Sequence, residues 1–255
     1  MFELTGKVAV VTGASSGLGA DAARAYAEQG ANVALLARRK EKLEALAAEL
    51  EPTGVRVLVL PCDVTDEDQV KASIDAVIEE FGKIDILLNN AGTAARGGVD
   101  TLPPSEWDRV MDTNIKAFYL VSKYVIPSMI AQQYGRIVNI SSVNARIADK
   151  LDTFIRHVYN TSKGAVLGLT LGMAASYGKY NITVNSIGPG LFESEMTQNS
   201  LFKSKDYMDI YNMQCPMSRP GNRGELNGTI LYLSSDASSY VTGQYIIVDG
   251  GMSIV

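Results

Sequence analysis

The chain has two cysteines, Cys62 and Cys215, and a single histidine, His157. Two such thiols make no disulfide framework and have no metal-ligand spacing. One histidine leaves no partner for a zinc site or a Ser-His-Asp triad, so no metal is expected. Basic clusters are equally scarce. Arg38-Arg39-Lys40 is the only one, and the formal net charge is -5 with a pI near 5.0. That balance argues against a nucleic-acid or anionic-membrane partner. No charged-then-apolar leader opens the sequence, and no apolar run approaches the length of a membrane span. A cytoplasmic location is therefore expected.

What is present is an ordinary core-forming composition, 46% hydrophobic and 20% charged over 255 residues, enough for a sizeable interior. Short apolar runs recur at 7–13, 31–38, 55–64, 84–92, 135–142, 181–190 and 243–251. They are continuous rather than alternating, as strands buried on both faces of a parallel sheet should be. Helical stretches fall between them at 17–29, 40–50, 66–81, 105–131, 159–178 and 222–235. Strand alternating with helix throughout predicts a doubly wound (Rossmann) α/β sheet of about seven parallel strands with helices on both faces. No linker, internal repeat or low-complexity tract interrupts the pattern, so residues 1–255 read as a single domain.

The first predicted strand runs into TGASSGLG, with Gly13, Gly17 and Gly19 spaced G-x-x-x-G-x-G and Ser15, Ser16 and Leu18 between them. At a strand-to-helix turn such glycines let the backbone approach a pyrophosphate, and the helix N-terminus supplies free N–H groups and its dipole. About twenty residues further on, a dinucleotide fold often carries an acid for the ribose 2′-hydroxyl. Here the second strand ends Ala37-Arg38-Arg39, with no acid before Glu41. A guanidinium cannot accept that hydroxyl's hydrogen bond but matches a 2′-phosphate in charge and geometry. This favours NADP(H) over NAD(H).

A second constellation lies in VYNTSKGAV, where Tyr159 stands four residues before Lys163. On a helix, positions i and i+4 share a face. A free Tyr titrates near ~10 and Lys near ~10.4, and a neighbouring positive charge favours the phenolate. Such a pair suits a general acid–base operating near neutral pH.

Together these motifs resemble the short-chain dehydrogenase/reductase family over essentially the whole chain. TGASSGLG is similar to its cofactor loop, Asp63-Val64 to its adenine-contacting pair, and NNAG, with Asn90, Ala91 and Gly92, to its fourth-strand signature. Asn114, Ser142, Tyr159 and Lys163 resemble its catalytic tetrad, and Pro189-Gly190 and VDGG its nicotinamide-side turn and last strand. The resemblance implies that Tyr159 exchanges a proton with the substrate oxygen, Ser142 hydrogen-bonds that oxygen, and Lys163 holds the nicotinamide ribose. Asn114 would hold a proton-relaying water. It also implies that Phe192 and Ser194 lie where the lid touches the carboxamide. Of the two serines in NISS, Ser142 occupies the family's usual position. The segment between Ser142 and Tyr159 is a few residues longer than the family commonly shows, and His157 within it reads as a loop side chain.

Residues 191–215, after the Pro-Gly hinge, mix apolar and charged side chains and suit a substrate lid. Phe154, Ile155, Phe192, Met196, Leu201, Phe202, Met208 and Met213 offer adaptable apolar surface. This favours a bulky cyclic or hydroxysteroid-like alcohol or ketone as substrate. FESEMT and VDGGM, by contrast, resemble the gluconate 5-dehydrogenase-like branch, which keeps a sugar acid or a 3-oxoacyl substrate as the alternative. A nucleotide-sensing regulator without turnover is the reading from another class, and would be expected to lack the Tyr or the Lys. Gly164, Gly168, Gly172 and Ser176 recur every four residues along the helix after Tyr159. Each mid-helix glycine costs about 0.8–1 kcal/mol relative to Ala, which close packing against a partner subunit would offset. A homo-oligomer, dimer or tetramer, is expected.

Overall fold

A computed structural model describes residues 2–150, 154–198 and 201–255, with the backbone alone at Met196. The predicted strands form as β1 (Val8–Thr12), β2 (Asn32–Ala37), β3 (Val57–Pro61), β4 (Ile86–Asn89), β5 (Gly135–Ile140), β6 (Ile182–Pro189) and β7 (Tyr245–Val248). They make one seven-stranded sheet in the order β3-β2-β1-β4-β5-β6-β7, every pairing parallel. The four central strands β1, β4, β5 and β6 are buried along their whole length. That burial explains why their sequences do not alternate apolar with polar, and the polar residues they carry, such as Arg136, Asn139 and Asn185, are hydrogen-bonded. Edge strands β3 and β7 are only half-buried.

Helices cover both faces. On one side α1 (Gly17–Glu28), α2 (Lys40–Leu50) and α9 (Asn227–Ser234) pack through Ala22, Tyr26, Leu43, Leu46 and Ile230. On the other, α3 (Glu67–Phe81), α5 (Ala117–Gln132) and α6 (His157–Tyr177) pack through Val70, Ile74, Val121, Val125 and Met173. The chain order changes direction between β1 and β4, and the crevice at the strands' carboxyl ends there is where this architecture binds ligands.

Two helices differ from the sequence pattern. The stretch read as one helix over 105–131 is α4 (Pro104–Met111) and α5 joined by a π-helical turn, Asp112–Lys116. The last helix starts at Asn227 rather than 222, because Gly224 turns the chain at φ 85° and Asn227 N–H bonds back to its carbonyl. Within the predicted lid, α7 (Glu195–Gln198) and α8 (Lys205–Gln214) are described, whereas the Met196 side chain lies outside the described residues. No helix among the described residues is long and apolar enough to cross a membrane.

Candidate active site

The turn between β1 and α1 is shaped by close approach. Gly13 and Gly17 take φ of 66° and 55°, where L side chains are strained. A Cβ on Gly13 would stand 2.9 Å from the Ala91 Cα, and one on Gly19 would stand 2.5 Å from the Gly13 carbonyl oxygen. Asn90 fixes this approach, donating from its backbone N–H to Thr12 Oγ1 at 2.9 Å and from Nδ2 to the Thr12 carbonyl at 3.0 Å. The first N–H groups of α1 have no side-chain cap, so they are available to an anion. A glycine cradle open to an uncapped helix start fits the pyrophosphate of a dinucleotide.

The end of β2 separates the two arginines. Arg38 and Arg39 both face the groove. It is Arg39, however, that turns onto the glycine loop, donating to Ser15 Oγ at 2.9 Å and Ser16 Oγ at 3.0 Å. Arg39 also pairs with Glu195 of α7 at 2.7 Å, and Lys42 pairs with the same carboxylate. The hydrogen bonds from Lys42 and Arg39 hold the Glu195 carboxyl down at about 2. Further along the groove, Asp63 accepts from Thr65 N–H at 3.0 Å and from its hydroxyl at 2.8 Å, which fixes the turn that presents Val64.

At the other end, α6 brings Tyr159 and Lys163 beside the end of β5. The Lys163 ammonium donates to the Ile140 carbonyl at 2.9 Å and stands 5.8 Å from the Tyr159 ring centre. Burial pushes Lys163 down to about 8, and burial also raises the Tyr159 phenol. A phenol depressed by Lys163, expected from the spacing, is therefore not what this geometry produces, because desolvation acts on both groups. The influences that pull Tyr159 back are the Ser142 side chain and then the charge of Arg156. The ambiguity in NISS also separates in space. Ser141 Oγ donates to the Lys163 carbonyl at 2.8 Å, whereas Ser142 is the serine whose proximity lowers the Tyr159 phenol, its Oγ accepting from Asn144 N–H at 3.2 Å. Asn114 is fully buried in the π-helical turn. Its Oδ1 accepts from Thr93 N–H at 2.8 Å, and its Nδ2 donates to the Thr93 carbonyl and Ser162 Oγ, each at 2.9 Å.

One groove of about 690 Å³ joins the two ends. Nineteen of the twenty-one sequence-predicted site residues line it, Ser142, Tyr159 and Lys163 at one end, Arg38 and Arg39 at the other. Between them come Gly13, Ser15, Ser16, Gly17, Leu18, Asp63, Val64, Asn90, Ala91, Gly92, Pro189, Gly190, Phe192 and Ser194. Gly19 and Asn114 lie one layer behind, supporting the glycine turn and the Thr93 backbone.

The residues offered as an apolar slot behave differently. Phe154, Phe202, Tyr207 and Met208 pack on Leu191, Leu201, Tyr211 and Cys215 in a cluster of their own. Phe154 meets Tyr207 with ring centres 4.7 Å apart. Phe192 joins the main core against Gly221, and Met213 is 80% exposed. His157 opens α6, and its Nδ1 accepts from Val99 N–H at 3.1 Å.

Sequence reasoning missed three neighbours of the site. Arg156 stands 5.7 Å from the Tyr159 ring centre and pairs with Asp149 at 2.6 Å, and its buried Nε has no partner among the described residues. Tyr245 on β7 donates to the Ser142 carbonyl at 2.5 Å, and Arg146 lies 4.9 Å over its ring. Glu195 reaches Lys42 across 153 positions, a distance no local pattern signals. Only Arg156, three residues before Tyr159 at the helix start, was accessible from spacing.

Comparison with known proteins agrees with this arrangement. A family model described as enoyl-(acyl carrier protein) reductase matches residues 13–253. The chain is 38% identical to gluconate 5-dehydrogenase of Gluconobacter oxydans, covering 100% of this chain and 97% of that one. It is 37% identical to the 3-oxoacyl-(acyl-carrier-protein) reductase FabG of Thermotoga maritima, over 99% and 100% of the two chains. Among solved structures it is similar to a gluconate 5-dehydrogenase from Burkholderia cenocepacia in complex with NADP and tartrate. That pair has a TM-score of 0.94 and 36% identity over 100% and 98% of the two chains. A short-chain type dehydrogenase/reductase from Mycobacterium marinum gives 0.93 and 38% over 98% and 97%. With glycine turn, parallel sheet and Tyr-Lys helix in place and relatives matched from end to end, the chain belongs to the short-chain dehydrogenase/reductase family and is an oxidoreductase.

Proposed function

We propose that the chain is an NADP(H)-dependent oxidoreductase that interconverts a secondary alcohol and its ketone, and that its substrate is a polar anion of the sugar-acid type. The observation that carries the first half is the single groove running from Ser142, Tyr159 and Lys163 to Arg39 on the serines of the glycine loop. When bound, the dinucleotide supplies the hydride donor or acceptor. Its pyrophosphate would be held by the glycine turn and the α1 N-terminus, and its 2′-phosphate by Arg39, Ser15 and Ser16.

The chain's own groups then handle position and proton. Ser142 fixes the substrate oxygen beside the Tyr159 hydroxyl. Because burial keeps Tyr159 protonated, its hydroxyl is ready to donate to a carbonyl oxygen being reduced. In the oxidative direction the phenolate takes the proton back, which requires nearby positive charge; Lys163 and Arg156 are the cations over its ring. Asn114, pinned by Thr93 and Ser162, holds the backbone beside Lys163 in register.

The substrate reading rests on what the apolar residues are doing. Their packing on one another in the lid's own cluster favours a polar substrate over a hydroxysteroid. Close to Tyr159 stands instead Arg156, its guanidinium 5.7 Å from the ring centre and its buried Nε without a partner among the described residues. Buried or crowded guanidinium groups suit a carboxylate. A relative named for gluconate and a neighbour solved with NADP and tartrate support the same direction, whereas the relative named for an acyl-carrier substrate supports the thioester alternative. Assembly into a homo-oligomer is part of this reading. Along α6, Gly168 and Gly172 have open space above them and Leu171 is 58% exposed. Residues 191–215 act as the lid, and residues 1–255 as one catalytic domain.

The test is a ketone panel with NADPH consumption as readout. It should contain a keto sugar acid, a 3-oxoacyl thioester and a 3-ketosteroid. Turnover of the keto acid at the highest kcat/KM is expected. Steroid turnover with an inert keto acid would overturn the substrate half, and a preference for the thioester would place the anion on an acyl carrier instead.

A further inference from the structure

We infer that Glu195 is an internal competitor for the 2′-phosphate site, so that NADP(H), unlike NAD(H), must expel the lid's α7 to bind. This rests on the NADP(H) reading above and concerns a residue to which that reading gives no role.

The Glu195 carboxylate is gripped by Arg39 at 2.7 Å and by Lys42, and Arg39 is held at the same time by the hydroxyls of Ser15 and Ser16. Two cations at the start of α2 and two hydroxyl groups of the glycine loop are the donor set that a phosphate monoester requires. Here that set is filled by a side chain from a segment about 150 residues away in sequence. A carboxylate and a 2′-phosphate are both anions calling on the same donors, so the two occupants exclude each other.

The tether also fixes where the lid sits. Glu195 opens α7, the Ser194 Cα lies 3.7 Å from the position of a Cβ on Gly17, and Thr197 closes the turn by donating to the Phe192 carbonyl at 2.8 Å. With Glu195 on Arg39 and Lys42, α7 is drawn against the glycine loop. A dinucleotide carrying a bare 2′-hydroxyl leaves the tether in place and can donate that hydroxyl to it. A 2′-phosphate cannot, and its binding frees α7. The low carboxyl pKa of Glu195, held near 2, keeps the competitor charged at every physiological pH. Its ion pairs are roughly half exposed, and exposed pairs are individually weak, so the competition is worth about three- to tenfold in affinity.

The experiment titrates wild type and Glu195→Gln, as full chains, with 2′,5′-ADP and with 5′-AMP by calorimetry. Glu195→Gln should bind 2′,5′-ADP about three- to tenfold more tightly while 5′-AMP changes less than about twofold. Unchanged or weaker 2′,5′-ADP binding, or equal tightening of both nucleotides, overturns the inference. Limited trypsin digestion of the wild type reads the lid directly. Addition of 2′,5′-ADP should speed cleavage at Lys203 and Lys205, and 5′-AMP should not. Cleavage indifferent to either nucleotide also overturns it. A wild type that binds both nucleotides equally removes the NADP(H) reading itself. Discrimination in the wild type with no effect of Glu195→Gln removes the competitor alone.

Discussion

At the nucleotide end of the groove the surface that meets a ligand is mostly backbone. Gly13, Gly17 and Gly19 bring main-chain atoms so close that one added carbon on Gly13 would stand 2.9 Å from Ala91 Cα. At the substrate end the neighbouring side chains, Phe154 and Arg156 among them, are placed by contacts with their own surroundings and with the lid. Phe154 reaches Tyr207, and Arg156 reaches Asp149. Backbone geometry leaves a mark in the sequence because only glycine satisfies it. A packed side-chain cluster leaves none, since the same Phe and Met residues can line a slot or fill it.

The largest effect belongs to the proton. Tyr159→Phe keeps the ring and removes the hydroxyl, and should lower kcat by about 10²- to 10⁴-fold while NADPH still binds, as measured by fluorescence titration. A variant that retains more than roughly a tenth of wild-type turnover removes Tyr159 from its assigned role.

Next comes the nucleotide end. Arg39→Ala should weaken NADPH by about ten- to hundredfold, the worth of a lost charged hydrogen bond, with NADH little changed. Arg38→Asp should do less, because Arg39 and not Arg38 is seated on Ser15 and Ser16. Equal losses from the two would return the 2′-phosphate contact to both arginines.

At the substrate end, Arg156→Gln should move the pH profile of alcohol oxidation upward. Oxidation needs the phenolate, and removing a cation 5.7 Å from the ring disfavours it, so the phenol's pKa rises further. The other charged or titratable groups near Tyr159 are Lys163, Tyr245 and Asp149, the last paired with Arg156. Arg156→Lys should restore most of the profile. A profile unmoved in Arg156→Gln would make the residue a loop support only.

Much of the fold was legible from the sequence because burial on both faces forces largely apolar, non-alternating strands, and all seven were found within a few residues. The π-helical turn at Asp112–Lys116 was not, since α5 is apolar on nearly every face and the phase shift of one extra residue leaves no mark in its sequence. In the groove, the shape of the glycine turn and the shared helix face of Tyr159 and Lys163 were readable because each is set by residues close in sequence. The sequence pointed toward an apolar ligand because Phe154, Leu201, Phe202 and Met208 are apolar. Their partners are one another, and that follows only from tertiary packing. The direction of the Tyr159 shift was also hidden, because spacing supplies the neighbouring charge but not the burial that outweighs it.

The smallest effect concerns the open face of α6. Gly168→Ala meets nothing within 4 Å in the single chain, so an isolated protomer should gain about 0.8–1 kcal/mol of stability. If a partner subunit lies against the stripe, the methyl should instead shift the assembly toward smaller species in analytical ultracentrifugation. A stabilised chain of unchanged size would take the stripe out of the interface.

The central claim, hydride transfer to a ketone with Tyr159 delivering the proton, is tested most directly with NADPH deuterated at the transferred position. With the keto sugar acid as acceptor, the wild type should place deuterium on the carbinol carbon of the product and Tyr159→Phe should place almost none, although both bind the cofactor. Cofactor bound by both and deuterium transferred by neither, to any ketone of the panel, would contradict the account and identify a protein that senses the nucleotide without turning it over.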